Sequence, residues 1–243
     1  MTSIIYLPEV GSTNTFTTDL LTTQWPEEGT VFWTSCQRTG RGQGSNVWES
    51  EPGKNLCFSM VLYPHFMPVA KQFRLSKLLG VALVDFADAL GVKEASIKWP
   101  NDLYAGQRKL GGILVETAIT GSTMKYAVAG VGINVNQTDF SLALPNPVSL
   151  VEVAGGPFEP AALMPQLARS ILQRYEQARN GQFAEIDHDY HARLYRRGVL
   201  SAYADACGEF TGTIDRVGEE GRLYITGAEG KERKYWLKEV AFM

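Results

Sequence analysis

The sequence has few of the residues that build disulfide frameworks and metal sites. Its 243 residues include three cysteines, Cys36, Cys57 and Cys207, and three histidines. The cysteines are odd in number, widely spaced and without a Cys-x-x-Cys pair, which argues against a disulfide scaffold or a zinc site. His188 and His191 are three residues apart, but no third ligand has a recognisable spacing. We therefore predict reduced, mostly buried thiols and no metal site made of protein ligands alone.

Long apolar runs and an excess of positive charge are also missing. No stretch approaches the ~18 apolar residues of a membrane span, and no charged-then-apolar leader opens the chain. The formal net charge is -3, whereas dedicated nucleic-acid binders usually present a strongly basic face. The sequence thus predicts a cytoplasmic protein that binds neither membrane nor DNA. The oligomeric state stays open, a homodimer included.

What is present is a mixed pattern of helices and strands. Strands are predicted at 4–7, 30–36, 55–63 and 96–99, with a hairpin of 109–119 and 123–135 around Gly121-Ser122. Helices are predicted after Gly11-Ser12-Thr13-Asn14, with Ser12 or Thr13 as the cap, to about Gln24, and over 69–90, 161–178 and 183–196. After Gly198, three short strands separated by glycine turns predict a small barrel.

The stretch QRTGRGQGSNVWES (37–50) carries glycines at positions 40, 42 and 44. Such a loop lets backbone N–H groups converge on an anion, and Arg41 between two glycines adds bidentate donors. It is not a dinucleotide fingerprint, because Ser45 stands where a glycine is needed, and no Gly-Lys-Ser/Thr follows as in a P-loop. Taken alone, the loop fits a surface turn equally well.

Three further stretches have both an ordinary and a functional interpretation. KWPND (98–102) reads as a turn after a strand, yet it places Asp102 beside a tryptophan and a lysine. In RKLGGILVE (108–116), Lys109 and Gly111 would share one strand face, which predicts open space beside the lysine; the ordinary alternative is a solvated lysine. In GVGINVN (130–136) the glycines mark either a bulge or a close approach to the backbone.

In their order along the chain, these motifs resemble the biotin protein ligases. The resemblance includes Ser12-Thr13-Asn14 and Trp48 and covers about residue 4 to the end. It implies an α+β fold with a mixed-sheet catalytic domain of the biotin/lipoate ligase type (1–198) and a small C-terminal SH3-like β barrel (199–243). It also implies an ATP-dependent ligase that forms biotinyl-5'-AMP and pyrophosphate. Such enzymes then transfer biotin to a lysine of the biotin carboxyl carrier protein or domain of a carboxylase, such as acetyl-CoA carboxylase.

The resemblance also implies a set of site residues. The biotin-binding positions are Ser12, Thr13, Asn14, Gln37, Arg41, Gly42, Gln43, Lys109, Gly111 and Gly112. The positions for ATP and the adenylate are Arg41, Gln43, Asn46, Trp48, Asn101, Lys109 and Asn134. Arg41 and Lys109 are the predicted catalytic cations, and Mg²⁺ is expected with ATP. Asp102 is predicted to act as a base or orienting group for the acceptor lysine, whose free pKa is about 10.4.

The loop departs from the family pattern at its centre. Gly44 stands where a basic residue is expected and Ser45 where a glycine is expected. This predicts a weaker hold on the adenylate, with Arg38 as the replacement cation. Because Ser12-Thr13-Asn14 comes so early, no DNA-binding domain fits ahead of it, and we expect no repressor role.

Three alternatives stay open at this point. They are a lipoate or octanoate ligase or transferase of the same fold, a catalytically weak biotinyl-adenylate binder, and a plain interaction role for the terminal barrel.

Overall fold

The structure, a computed structural model, describes residues 2–243. Within residues 2–198 it has four α-helices: α1 (Thr13–Leu20), α2 (Phe73–Ala89), α3 (Pro160–Arg179) and α4 (Phe183–Ala192). The strands of the same part are β1 (Ile4–Leu7), β2 (Val31–Thr34), β3 (Gly40–Arg41), β4 (Val47–Trp48), β5 (Leu56–Leu62), β6 (Ala95–Lys98), β7 (Asp102–Ala105), β8 (Arg108–Thr120) and β9 (Thr123–Ile133).

Seven of these strands form one mixed sheet in the order β1-β2-β5-β9-β8-β7-β6. Strands β1 and β2 are parallel, and every other neighbouring pair is antiparallel. Strands β3 and β4 pair only with each other, as a short hairpin. The mixed sheet with helices confirms the predicted fold class.

Strand β9 explains how the two faces of this sheet differ. Ala129 and Val131 point into the main apolar core, which α2 and α3 cover. On the other face Val128 packs into a smaller apolar cluster with residues of α1 and β2. Gly130 and Gly132 continue that second face without side chains, since alternate residues of a strand share a face. Beyond the residues that α1 covers, this face of the sheet therefore borders a pocket.

The C-terminal part is a second, five-stranded antiparallel sheet. Its strands are β10 (Leu200–Asp205), β11 (Gly208–Val217), β12 (Leu223–Gly227), β13 (Glu232–Tyr235) and β14 (Val240–Phe242), in the order β13-β12-β11-β10-β14. This agrees with the small SH3-like barrel, although five strands form it and not three. Lys77 of α2 donates to the Val217 carbonyl at 2.6 Å, and the Trp99 indole N–H donates to the Gly221 carbonyl at 2.9 Å. The division into domains at residue 198 stays a prediction.

Two local predictions, a hairpin and a helix cap, are confirmed. Strands β8 and β9 form the expected hairpin around Gly121-Ser122. Ser12 caps α1, with φ at -145° and its Oγ accepting from the Thr15 N–H at 3.5 Å. No helix of residues 2–243 has the length and apolar character needed to cross a bilayer.

Other local predictions were wrong. Helix α1 ends at Leu20, four residues before the expected end, and α4 ends at Ala192 where 196 was predicted. The Pro-Asn-Asp segment leads at once into β7, a strand that the turn interpretation missed. Only Cys57 is buried among the three free cysteines, whereas Cys207 is exposed.

Candidate active site

A polar cluster at the start of α1 forms one wall of the pocket. The Gln37 Oε1 atom accepts from the backbone N–H of Thr13 at 3.0 Å, which satisfies one of the helix's free first-turn amides. The Ser59 hydroxyl lies 2.9 Å from Thr13 Oγ1 and 2.5 Å from Asn14 Oδ1. Because Thr13, Asn14 and Ser59 are all buried, these groups are fixed on rigid elements before any ligand binds.

The floor of the pocket is made of glycine. A methyl group on Gly130 would run into the Asn14 amide, and one on Gly132 would run into the Trp48 indole. The pairing of β9 with β5 is regular through this region, so neither glycine marks a bulge. The close approach predicted from GVGINVN is therefore confirmed.

Arg41 is held across the pocket by Glu116. Its two terminal nitrogens donate to the two carboxylate oxygens at 3.1 and 2.8 Å, a bidentate geometry that orients the guanidinium. Glu116 also accepts from Asn14 Nδ2 at 2.9 Å. The Arg41 and Glu116 side chains keep 47% and 32% of their surface exposed. Exposed ion pairs contribute about 0–1 kcal/mol, so another anion can replace Glu116 at little cost.

Lys109 forms a second ion pair beside the first. Its Nζ lies 2.7 Å from Asp102 Oδ1 and 5.9 Å from the centre of a Trp48 ring, within cation–π range. A methyl group on Gly112 would lie 3.6 Å from that carboxylate oxygen and 3.7 Å from Lys109 Cε. Gly112 thus leaves room for about a methyl group, in ordinary contact, next to the lysine side chain.

The structure places a different glycine beside Lys109 from the one predicted. Strand pairing shifts at this point, so Leu110 is inserted as a β-bulge between Lys109 and Gly111. A bulge reverses the alternation of faces. Gly112 therefore shares a face with Lys109, while a methyl group on Gly111 would meet the Gly132 carbonyl oxygen at 2.8 Å. The predicted open space exists, but the assignment to Gly111 was wrong.

One pocket collects most of the predicted site residues. Those that line it are Ser12, Thr13, Asn14, Gln37, Arg41, Gly42, Gln43, Asn46, Trp48, Asn101, Asp102, Lys109 and Gly112. Gly111 and Asn134 are not part of its lining. Asn134 is buried and donates to the Val148 carbonyl at 3.0 Å, so its contact here is structural. Residues 2–243 contain no group of three or more His, Cys, Asp or Glu side chains arranged to hold a metal ion.

Most of the residues that line this pocket lie in the part of the chain that matches a known protein family. The model of the biotin/lipoate A/B protein ligase family matches residues 6–134. The chain belongs to that family. This match, together with relatives named as biotin ligases, confirms the resemblance to biotin protein ligases and the assignment to the ligase class of enzymes.

Several relatives of this ligase family resemble the chain over most of its length. The bifunctional ligase/repressor BirA of Bacillus subtilis is 29% identical over 235 residues, which is 96% of this chain and 72% of BirA. The biotin–acetyl-CoA-carboxylase ligase of Paracoccus denitrificans is 27% identical over 205 residues, 81% of this chain and 83% of its own. The biotin protein ligase from Aquifex aeolicus in complex with biotin and ATP has a TM-score of 0.81 at 24% identity, covering 100% and 99% of the two chains. That likeness establishes a shared fold.

Sequence reasoning missed three residues in or next to the pocket of this member of the ligase family: Glu116 and Ser59 contact lining residues, and Lys238 lines the pocket. Glu116, the partner of Arg41, lies on the same strand face as Gly112, and strand alternation counted from Gly112 would have found it. Ser59, by contrast, is a single polar residue in an apolar strand and carries no motif. Lys238 comes from the C-terminal sheet, far away in sequence, and lines the same pocket.

The structure does not bring Arg38, the predicted replacement for the missing loop charge, to the pocket. Arg38 forms an exposed ion pair with Glu9 at 2.6 Å and does not line the pocket. Lys238 lies over Gly44 instead.

Two ionisable groups next to the pocket have structural surroundings. Lys98 of KWPND donates to the Tyr104 hydroxyl at 3.0 Å, and burial lowers the pKa of its ammonium group. Burial raises the pKa of the Cys57 thiol to about 11, so this cysteine stays neutral and is no nucleophile at pH 7. Neither Lys98 nor Cys57 is therefore a candidate catalytic group, and the candidates are the residues of the two ion pairs.

Proposed function

We propose that this protein is an ATP-dependent biotin protein ligase. The observation that carries the proposal is that Arg41 and Lys109, paired with Glu116 and Asp102 respectively, both line one pocket that has a wall of uncharged polar groups. Each cation is oriented by a carboxylate that an incoming anion can replace. Two cations side by side suit a reaction in which a carboxylate must approach a phosphate. The name of the Paracoccus denitrificans relative, a biotin–acetyl-CoA-carboxylase ligase, supports biotin as the carboxylate substrate.

In the first step, an oxygen of the biotin carboxylate attacks the α-phosphorus of ATP. The bond from that phosphorus to the bridging oxygen breaks, and pyrophosphate leaves with the electron pair. Repulsion between the two anions opposes this approach in water. Arg41 and Lys109 reverse that repulsion and stabilise the negative charge on the transferring group.

The polar wall suits the other end of biotin. A ureido ring offers one carbonyl acceptor and two N–H donors, and Thr13, Asn14 and Gln37 offer hydroxyl and amide groups in fixed positions. Ser12, Gly42 and Gln43 complete the proposed biotin subsite, with Gly112 making room for the valerate tail. Gly111 stays in the proposal only as a backbone contact.

The nucleotide is assigned to the remaining residues of the pocket. Asn46, Trp48 and Asn101 are proposed to contact the adenine and the phosphates. Asn134 is retained as a proposal from the family pattern. Magnesium usually binds through one or two carboxylates together with substrate phosphates, and Asp102 is the one acidic residue in the pocket lining of residues 2–243. This donor set fits Mg²⁺ that arrives with ATP, where the ion would offset phosphate charge.

In the second step, the neutral amine of a carrier-domain lysine attacks the acyl carbon of biotinyl-5'-AMP. An amide bond forms, AMP leaves, and the amine nitrogen loses a proton. Asp102 is proposed to orient the amine and take up that proton once Lys109 turns to the substrate oxygens. The proposed acceptor is the biotin carboxyl carrier domain of a carboxylase.

Pyrophosphate release with ATP and biotin tests the first step, with Lys109→Ala for comparison. We expect release with biotin and not with lipoate, whose dithiolane ring lacks the ureido groups. Release with lipoate alone would favour the lipoate ligase alternative. Mass spectrometry of a carrier domain then tests turnover, because a weak adenylate binder would release pyrophosphate once and add no biotin mass.

A further inference from the structure

The glycine loop, which is the segment 40–49, is anchored at its two ends by different means. At the N-terminal end the backbone supplies the anchor, because the Thr39 N–H donates to the Gly11 carbonyl at 2.8 Å, just before α1. At the C-terminal end the chain belongs to no strand between β4 and β5. Side chains from other parts of the molecule hold it there.

Two buried amide side chains, Asn55 and Gln137, form this second anchor. The Gln137 Oε1 atom accepts from the Glu51 backbone N–H at 3.0 Å and from Asn55 Nδ2 at 2.6 Å. Asn55 Nδ2 also donates to the Ser50 hydroxyl oxygen at 3.2 Å. Asn55 is 1% exposed and Gln137 is 7% exposed, so water competes little for these bonds.

The end of the large sheet holds the two amides in place. Asn55 directly precedes β5, and Val135 follows β9, the neighbour of β5 in the sheet. The Val135 N–H donates to Asn55 Oδ1 at 3.0 Å, which continues the pairing of the two strands by one side-chain bond. Gln137 Nε2 donates to the Asp139 carbonyl at 2.9 Å. Each amide therefore bonds through both its oxygen and its nitrogen, which fixes its orientation.

The pocket lies on the other side of the bonds that this anchor makes. Trp48 lines the pocket and belongs to β4, which pairs with β3, the strand of Arg41. Because the anchor holds the chain directly after β4, it also holds β3 through this hairpin. Neither Asn55 nor Gln137 lines the pocket, so any effect that they have on a ligand must act through the loop.

We propose that Asn55 and Gln137 are positioning residues, which hold the glycine loop in the orientation in which Arg41 and Trp48 meet biotin and ATP. This inference rests on the proposed function. Without the anchor, the loop would leave that orientation for part of the time. The apparent affinity for a ligand falls with the fraction of binding-competent molecules. Both substrates should be affected alike, because the same loop is proposed to contact both.

Gln137→Met and Gln137→Glu test the inference as a pair. Methionine keeps the length of the side chain but removes the shared acceptor, whereas glutamate keeps an acceptor oxygen for Glu51 and Asn55. In biotin-dependent exchange between ATP and pyrophosphate, we expect Gln137→Met to raise the KM for biotin and the KM for ATP about fivefold each, with kcat within about twofold. Gln137→Glu should bring both constants back near the wild-type values. A lower kcat with unchanged KM values would indicate loss of folded protein alone and would overturn the inference.

Trypsin cleavage of the ligand-free protein tests the anchor independently of activity. Cleavage after Arg41 measures opening of the loop, and cleavage after Lys231, an exposed residue between β12 and β13, measures opening elsewhere. We expect Gln137→Met to raise the first rate about fivefold and to leave the second unchanged, as followed by mass spectrometry. If the wild type shows no exchange with biotin, the proposed function fails, and this measurement still decides the inference. Equal cleavage after Arg41 in wild type and Gln137→Met, or an equal rise at both sites, overturns it.

Ser170→Ala is the matched control for the loss of a side-chain hydrogen bond away from the loop. Ser170 of α3 donates to the Ala82 carbonyl at 2.7 Å and does not line the pocket. This variant should lose stability, as Gln137→Met does, while both KM values and the cleavage rate after Arg41 stay at the wild-type level. An equal rise of the KM values in Ser170→Ala would reduce the effect of Gln137 to general stability and would overturn the inference.

Discussion

Two lysines of this protein pair with an aspartate at nearly equal distance in different surroundings. Lys109 Nζ lies 2.7 Å from Asp102, and Lys77 Nζ lies 2.6 Å from Asp187. The Lys109 side chain keeps 32% of its surface exposed and the Lys77 side chain 1%. Lys77 also donates to the Val217 carbonyl at 2.6 Å, between α2 and the C-terminal sheet.

The difference between these pairs separates a binding role from a structural one. Lys109 lines the pocket beside Gly112 and has one strong partner that can be replaced. Lys77 has its donors engaged in a buried site, so no ligand can reach it. The existence of an ion pair therefore does not indicate its function. The free space around the pair and the remaining hydrogen-bonding capacity of its charged groups do indicate it.

Lys109→Ala should give the largest loss of activity. A small loss would contradict the binding role of Lys109. We expect adenylate formation to fall on the order of a thousandfold, because a preorganised cation is lost from the reaction centre. The free energy of unfolding should change by less than about 1 kcal/mol, as for other partly exposed pairs. Pyrophosphate release and urea unfolding measure the two quantities. A large loss of stability with normal release would make Lys109 a structural residue.

Asp102→Asn sharpens the comparison from the other side of the same pair. Asparagine keeps an oxygen near Lys109 and for the Mg²⁺ that arrives with ATP, but it cannot accept a proton. We therefore expect adenylate formation to be spared and transfer to a carrier domain to slow about a hundredfold. Rapid-quench measurements of the two half-reactions separate them. Equal losses in both would assign Asp102 to positioning Lys109 alone.

These residues also show how far the sequence predicts the site. The motifs identify the family and bring Arg41, Asp102 and Lys109 together, because each motif lies at a strand end or in a loop. The bulge at Leu110 is not visible in the sequence, since it arises from pairing between β7 and β8. For that reason the wrong glycine was placed beside Lys109.

Local sequence patterns cannot predict contacts between distant parts of the chain. Lys238 follows an ordinary-looking strand, and nothing near it in sequence indicates the loop at Gly44. Lys77 reads as one polar residue of an amphipathic helix, yet it is buried because the C-terminal sheet covers it. The predicted secondary structure determines neither the contact of Lys238 with the loop nor the burial of Lys77.

Lys77→Met tests the structural half of the comparison. Methionine keeps the length and apolar contacts but leaves the Val217 carbonyl without its donor, while Asp187 remains partly solvated. We expect the free energy of unfolding to fall by about 2 kcal/mol, the cost of an unpaired buried polar group. The biotin-dependent rate per folded molecule should stay near that of the wild type. Loss of activity without loss of stability would contradict the structural role of Lys77.

His191 should give the smallest effect, as a dependence of stability on pH. Its Nε2 accepts from the Val217 N–H at 3.0 Å and its Nδ1 lies 2.7 Å from the Asp187 carbonyl oxygen, so the folded protein needs the neutral ring. Burial, with Lys77 and Arg197 nearby and opposed by Asp187, lowers the pKa of His191 below its ordinary value of about 6.5.

Because the folded pKa lies below the unfolded one, the stabilisation from His191 is present above pH 6.5 and is lost as the pH falls below it. We expect His191→Gln, whose amide oxygen can still accept from Val217, to flatten the fall in the urea midpoint between pH 7.5 and 5.5. The KM for ATP should not change, since the ring does not line the pocket. An unchanged pH slope would mean that groups other than His191 control acid stability.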